Sequence, residues 1–179
     1  LAKDLNKDKV GQSVRLSGWV HRFRDHGGVI FIDLRDHTGL TQVVCNPEDK
    51  AVFELAERLR FEYVVSVEGV IRLRPEGTEN TDLPSGSLEL VCKDLTILNS
   101  SLPLPFPIDQ HVDGDVGEEV RLKYRFLDLR RHEMATALRA RSTLLNCVRS
   151  VLQEAGFLEI ETPVLTKPSP EGAREYLVP

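Results

Sequence analysis

Cysteine is scarce in this sequence, long apolar runs are absent and positive charge is in deficit. The three cysteines, Cys45, Cys92 and Cys147, are odd in number and far apart. With no CxxC pair and no close His to complete a zinc set, they read as reduced and mostly buried thiols, and no metal site is expected. No apolar run approaches a membrane span, and the opening LAKDLNKDKV lacks the apolar core of a signal peptide, so a cytoplasmic location is expected. The formal net charge of −5 excludes a protein that holds nucleic acid by bulk basicity, while leaving local basic patches open. An initial Met is also missing, and residues ahead of Leu1 are expected. What is present, 41% hydrophobic and 28% charged residues in a chain of 179, fits one or two soluble globular domains.

The stretch GVIFIDLRDHTGLTQVV, residues 28–44, reads as a hairpin. Val29, Ile30, Phe31, Ile32 and Leu34 form a β-rich run, Asp36, His37, Thr38 and Gly39 supply turn residues, and Leu40, Gln42, Val43 and Val44 resume the strand pattern. Phe31, Arg35 and Gln42 offer a ring, a cation and an amide that could share one exposed sheet face. Such a face suits an unpaired nucleic-acid base: the ring stacks, the amide reads an edge and the guanidinium holds phosphate.

Around this hairpin the pattern is regular. SVRLSGWV alternates as a first strand and runs into HRFRDHGG, where Arg22 and Arg24 share one face and could flank a bound backbone or simply end a solvated strand. Val52, Leu55, Ala56 and Leu59 mark an amphipathic helix after Pro47. Tyr63 to Arg74 is a long strand with Gly69 as a bend or bulge, and Leu88 to Leu98 is a fifth strand. Three strands, a helix and two strands follow the order of an OB-fold, a small Greek-key barrel whose second and third strands commonly form an oligonucleotide face. Residues 1–99 are therefore assigned to the barrel.

Residues 100–132 change character. The Pro-rich SLPLPFPIDQHVDGDVG reads as a hinge, followed by a short helix and a basic cluster in EEVRLKYRFLDLRR. From residue 133 to 179 a second domain begins. Its helix, Glu133 to Ala155, carries an apolar stripe of Met134, Leu138, Leu145, Val148, Leu152 and Ala155, widened by Ala137, Leu144 and Val151. Gly156 stops it, and FLEIETPVL reads as a strand with Pro163 near its end.

GFLEIETPVL resembles motif one of class II aminoacyl-tRNA synthetases, a long helix followed by a strand with a Pro at the subunit interface. With the barrel ahead of it, the chain resembles the aspartate, asparagine and lysine subgroup. RLKYRFLDLRR and SPEGAREYLVP look like the bacterial-type aspartyl enzyme. The resemblance implies a mostly β fold with α: a five-stranded OB-fold barrel for the anticodon, a hinge, and the first helix and strand of an α+β catalytic domain. It further implies aspartate–tRNA ligase activity with ATP and Mg2+, tRNA for aspartate as partner (with that for asparagine also in view), and a homodimer through motif one with Pro163 at its interface. DNA and membrane partners are not expected. Motifs two and three are missing, so the chain is expected to contain no catalytic residue, to bind no cofactor and to be inactive alone.

On the matching positions, Phe31 would stack on the middle anticodon uridine, Gln42 would contact a neighbouring base, and Glu89 would accept a hydrogen bond from that uridine's edge. Arg22, Arg24, Arg72 and Arg74 would contact the backbone. His26, in the loop before the hairpin, lies where bacterial relatives vary with tolerance for tRNA of asparagine, and Glu171 in the SPEGAR loop would contact aspartate. Each residue also has a plainer reading. Phe31 competes with Ile30 and Ile32 for the inward face, Gln42 fits an ordinary exposed strand, Glu89 points outward merely by alternating with Leu88 and Leu90, and a carboxylate is unremarkable in the loop of Glu171. Two alternatives stand beside the ligase: a stand-alone OB-fold module for single-stranded RNA with a helical dimerisation arm, and an asparaginyl or lysyl relative.

Overall fold

A computed structural model describes residues 1–81, 83, 85–108 and 116–165. The chain divides after Leu104 into two units. In the first, five strands form one closed barrel. They are β1 (Ser13–His26), β2 (Val29–Arg35), β3 (Leu40–Cys45), β4 (Val64–Leu73) and β5 (Leu88–Asn99), with helix α1 (Lys50–Glu57) between β3 and β4. Their order around the barrel is β1-β2-β3-β5-β4, all antiparallel except β3 with β5, and β1 pairs with β4 to close the ring. This is the OB-fold that the order of elements predicts.

Period-two alternation decides which side chains fill the barrel. Ile30, Ile32 and Leu34 from β2, Val43 and Cys45 from β3, Val65, Val67 and Ile71 from β4, and Leu88 and Leu90 from β5 make one buried cluster. Fully burying each aliphatic side chain is worth about 1.5–3 kcal/mol relative to exposure. Helix α1 packs on β2, β3 and β5 and adds Val52 and Ala56 to the cluster. Its first turn is capped by Asp49, which accepts from the Val52 amide at 3.4 Å.

Within the strands, two glycines are required by close approach. A Cβ at Gly18 would lie 2.3 Å from the Arg35 carbonyl oxygen, and one at Gly69 would lie 2.0 Å from that of Val91. The register shifts beside Gly69, as expected, but the extra residue is Lys93 on β5, since Glu68 faces Asp94 while Gly69 faces Cys92. A second shift on β1 leaves His21 between the paired Val20 and Arg22.

In the second unit, α2 (Glu118–Lys123), α3 (Arg125–Asp128) and α4 (His132–Glu154) follow one another. Three arginines of the basic cluster converge on one acid. Asp128 is 0% exposed, with Arg121 Nε at 3.0 Å, Arg125 Nη1 at 2.5 Å and Arg131 Nη1 at 3.6 Å. Burial raises the pKa of its carboxyl, but hydrogen bonds from Arg121 and the charges of Arg121 and Arg125 outweigh this and hold it below the ordinary value. The apolar residues of α4, Leu138, Leu145, Val148 and Leu152 among them, are exposed. Residues 157–163 carry no strand assignment. The alternation of FLEIETPVL is present, but none of the described residues pairs with it, and a strand is defined by its ladder.

Candidate nucleic-acid interface

The outer face of the barrel carries two adjacent rows, each running through all five strands. Register places Arg22 of β1 opposite Asp33 of β2, Asp33 opposite Gln42 of β3, Gln42 opposite Glu89 of β5, and Glu89 opposite Arg72 of β4. The neighbouring row is Arg24, Phe31, Val44, Val91 and Val70. Rows two residues apart lie about 6.5–7 Å from one another along each strand. A charged and amide-bearing row therefore runs beside one that is apolar apart from its terminal arginine.

Phe31 is outside the core cluster and half-buried, because Ile30 and Ile32 take the inward positions. Its ring meets the His26 ring edge-on, with centroids 5.8 Å apart and an interplanar angle of 68°. His26 is not in a loop, as the sequence suggests, but is the last residue of β1, paired with Val29. The turn is only Gly27 and Gly28, both at positive φ (63° and 94°), the region glycine enters without a Cβ penalty.

Gln42 and Glu89 are joined to each other. Gln42 Nε2 donates to Glu89 Oε2 at 2.9 Å, and Arg72 Nε donates to Glu89 Oε1 at 2.7 Å. Glu89 is only 2% exposed although it lies on the outer face. The expectation of an open acceptor is thus corrected: both oxygens are occupied, and a base reaches this carboxylate only by exchanging a partner or using a second lone pair.

The four arginines separate. Arg22 is exposed on the polar row. Arg24, 45% exposed, holds both oxygens of Asp33 at 2.8 and 3.0 Å, a diagonal bond between the rows. Arg72 is 47% exposed and brackets Glu89. Arg74 is not an open backbone contact: it follows the last residue of β4, is buried, and donates from Nε to the Leu88 carbonyl at 3.1 Å. Burial lowers the pKa of its guanidinium. Its role is to clasp the β4–β5 connection, which Ser85 also ties to the Leu40 carbonyl at 2.6 Å.

Arg35 likewise does not wait for phosphate. It pairs with Glu62 at 2.6 Å and meets His21 Nδ1 at 3.0 Å, holding Glu62 in a left-handed conformation at φ 63°. Sequence reading missed Asp33 and Glu62, whose signal was only their alternation or adjacency with β residues. Pro163 is exposed, and Glu171 lies outside the described residues.

Comparison with known proteins agrees with this geometry. Residues 14–98 match the family model of the OB-fold nucleic acid binding domain, and residues 117–179 match that of the tRNA synthetases class II (D, K and N). Asparaginyl-tRNA synthetase from Pyrococcus horikoshii, solved with asparaginyl-adenylate, is 27% identical with a TM-score of 0.79 over 95% of this chain and 37% of its own. Aspartyl tRNA synthetase from Entamoeba histolytica shares the fold at 19% identity, with a TM-score of 0.82 over 96% of this chain and 41% of its own. The chain thus spans well under half the length of these structures. Both amino-acid specificities occur among them, so the bacterial aspartyl subtype is not singled out.

Proposed function

We propose that this chain, which belongs to the class II tRNA synthetases of the D, K and N group and carries their OB-fold anticodon-binding domain, serves an aspartate–tRNA ligase by reading the anticodon. The observation that carries the reading is the pair of rows on the barrel's outer face. A splayed base stacks on Phe31 in the apolar row, and Gln42 meets the edge of its neighbour. Glu89 stands behind that amide, and Arg22 and Arg24 lie at the edge of the two rows, where the backbone runs. Aspartate is favoured by the RLKYRFLDLRR and SPEGAREYLVP stretches, with Glu171 as the contact to the amino acid.

The parent activity is ATP-dependent formation of aspartyl-adenylate and transfer to the terminal ribose of tRNA, in the cytoplasm, by a homodimer. The exposed apolar stripe of α4 and Pro163 supply the interface in this proposal. Among the described residues no group of three His, Cys, Asp or Glu side chains comes together to hold a metal ion. ATP and magnesium belong to the proposed activity of the whole enzyme. No helix among them is long and apolar enough to cross a membrane.

A second reading, an asparagine-specific enzyme, draws on the 27% identity to the Pyrococcus structure. The anticodons for aspartate, asparagine and lysine share a middle uridine and part at the flanking bases, so one experiment separates the readings. The chain is titrated with anticodon stem-loops carrying GUC, GUU and UUU. Tightest binding of GUC supports aspartate, and tightest binding of GUU supports asparagine. Equal binding of GUC and GUU supports an enzyme that accepts both tRNAs, with His26 at the rim of the site. Failure to bind any loop removes anticodon reading from this chain.

A further inference from the structure

The Gln42 amide is not free to choose which end it shows. Its partner Glu89 is a carboxylate that only accepts, so the amide must turn Nε2 toward it, as the 2.9 Å contact shows. The carbonyl oxygen and the second N–H are then left for a ligand. Glu89 is itself fixed by Arg72, whose Nε reaches its other oxygen at 2.7 Å, and its 2% exposure leaves little water to compete. All three side chains stand at directly paired positions on neighbouring strands, so the backbone register carries the chain of bonds.

We propose that Arg72 is a positioning residue: through Glu89 it locks the Gln42 amide with its carbonyl outward, and so makes this point of the face select a base edge that offers an N–H donor. Arg72 does this without spending its charge on phosphate. The proposal rests on the anticodon-reading role of the face, and its test separates the two.

The test uses the whole chain with Arg72→Met, which removes the donors and keeps an apolar stem, and Arg72→Lys, which restores one donor. The probes are pairs of anticodon stem-loops differing only at the first or the third anticodon base, the candidates for the Gln42 contact. Binding is titrated over a series of salt concentrations. Wild type should discriminate within at least one pair by about five- to a hundredfold. Arg72→Met should bring that ratio to within about twofold while leaving the slope of log affinity against log salt unchanged. Arg72→Lys should recover part of the ratio. If Arg72→Met instead weakens both loops equally and lowers the slope by about 0.7, Arg72 holds a phosphate and the proposal is overturned.

A second measurement needs no RNA. In a nitrogen-15 spectrum, the Gln42 side-chain amide should be shifted from its free position in wild type and Arg72→Lys, and should collapse toward it in Arg72→Met. An unmoved Gln42 signal in Arg72→Met overturns the bracket whatever the loops do. Wild type binding without base preference, together with a collapsed Gln42 signal, leaves the bracket standing and removes the reading role on which its purpose depends, so selection of a base edge is overturned.

Discussion

Phe31→Ala tests the stacking platform with little disturbance of the barrel. The ring lies outside the buried cluster, and the inward positions on either side belong to Ile30 and Ile32, both 0% exposed. Truncation therefore opens no core cavity, and its cost to folding should stay within about 0.5–1 kcal/mol, mostly the lost edge contact with His26. Binding should suffer more. A base stacked on an aromatic face is worth about 1–3 kcal/mol, so the dissociation constant for an anticodon stem-loop should rise about five- to 150-fold. Phe31→Leu separates area from shape, because leucine keeps much of the apolar surface and has no planar face. It should recover less than half of the lost free energy. Fluorescence anisotropy with labelled loops gives the constants, and urea unfolding of each variant gives the stability. Unchanged affinity for Phe31→Ala would refute the platform. A stability loss above about 2 kcal/mol would show that the ring supports the core after all.

Three further outcomes are expected. Gly69→Ala should destabilise the barrel by about 1–3 kcal/mol or more in urea, because the added Cβ meets the Val91 carbonyl oxygen at 2.0 Å; wild-type stability in that variant would contradict the strand crossing. The Asp128 carboxyl titrates lower in the folded chain than unfolded, so its stabilisation is complete above the unfolded value of about 3.9 and is lost as pH falls through the lower folded value. Acid titration of helical circular dichroism should therefore show a step below about pH 4 that Asp128→Asn lacks, and identical profiles would count against the arginine cluster as its cause. For assembly, the parent enzyme should sediment as a dimer at micromolar concentration and dissociate on Leu145→Asp with Val148→Asp, both exposed on α4; a strict monomer before substitution would sink the interface.

The barrel was legible in the sequence because its signals are local. Alternation put Ile30 and Ile32 inward and left Phe31 on the outer face, and the spacing of Val52 and Ala56 placed the buried side of α1, with Leu59 buried just past its end. What escaped depends on partners distant in sequence. Glu89 is read correctly as outward-facing, but its cover comes from Gln42, 47 residues away, and Arg72, 17 residues away. Arg74 shares the strand pattern of Arg72 and differs only because β4 ends between them, which lets its side chain turn to the Leu88 carbonyl. The cysteines are mostly buried, as expected, Cys45 and Cys92 inside and Cys147 exposed on α4. The pairing of His26 with Val29 also escapes the sequence, because Gly-Gly marks a turn without stating that pairing continues up to it.

Strand order has a consequence for the chain as it is made. β5 is the last strand of the barrel in sequence, yet it inserts between β3 and β4, and it supplies Glu89 to the middle of the polar row. Until residues 88–99 have left the ribosome, β3 has no partner on one side, Gln42 has nothing to fix its amide, and β4 can pair only with β1. A nascent chain at that stage exposes the Phe31 hairpin without a reading surface around it. Because the pairings that complete the surface join distant parts of the chain, its assembly is slow compared with that of a hairpin. If the face reads RNA as proposed, that recognition arrives only when β5 joins the barrel, and a chain that stops short of residue 88 has no graded affinity with which to occupy tRNA.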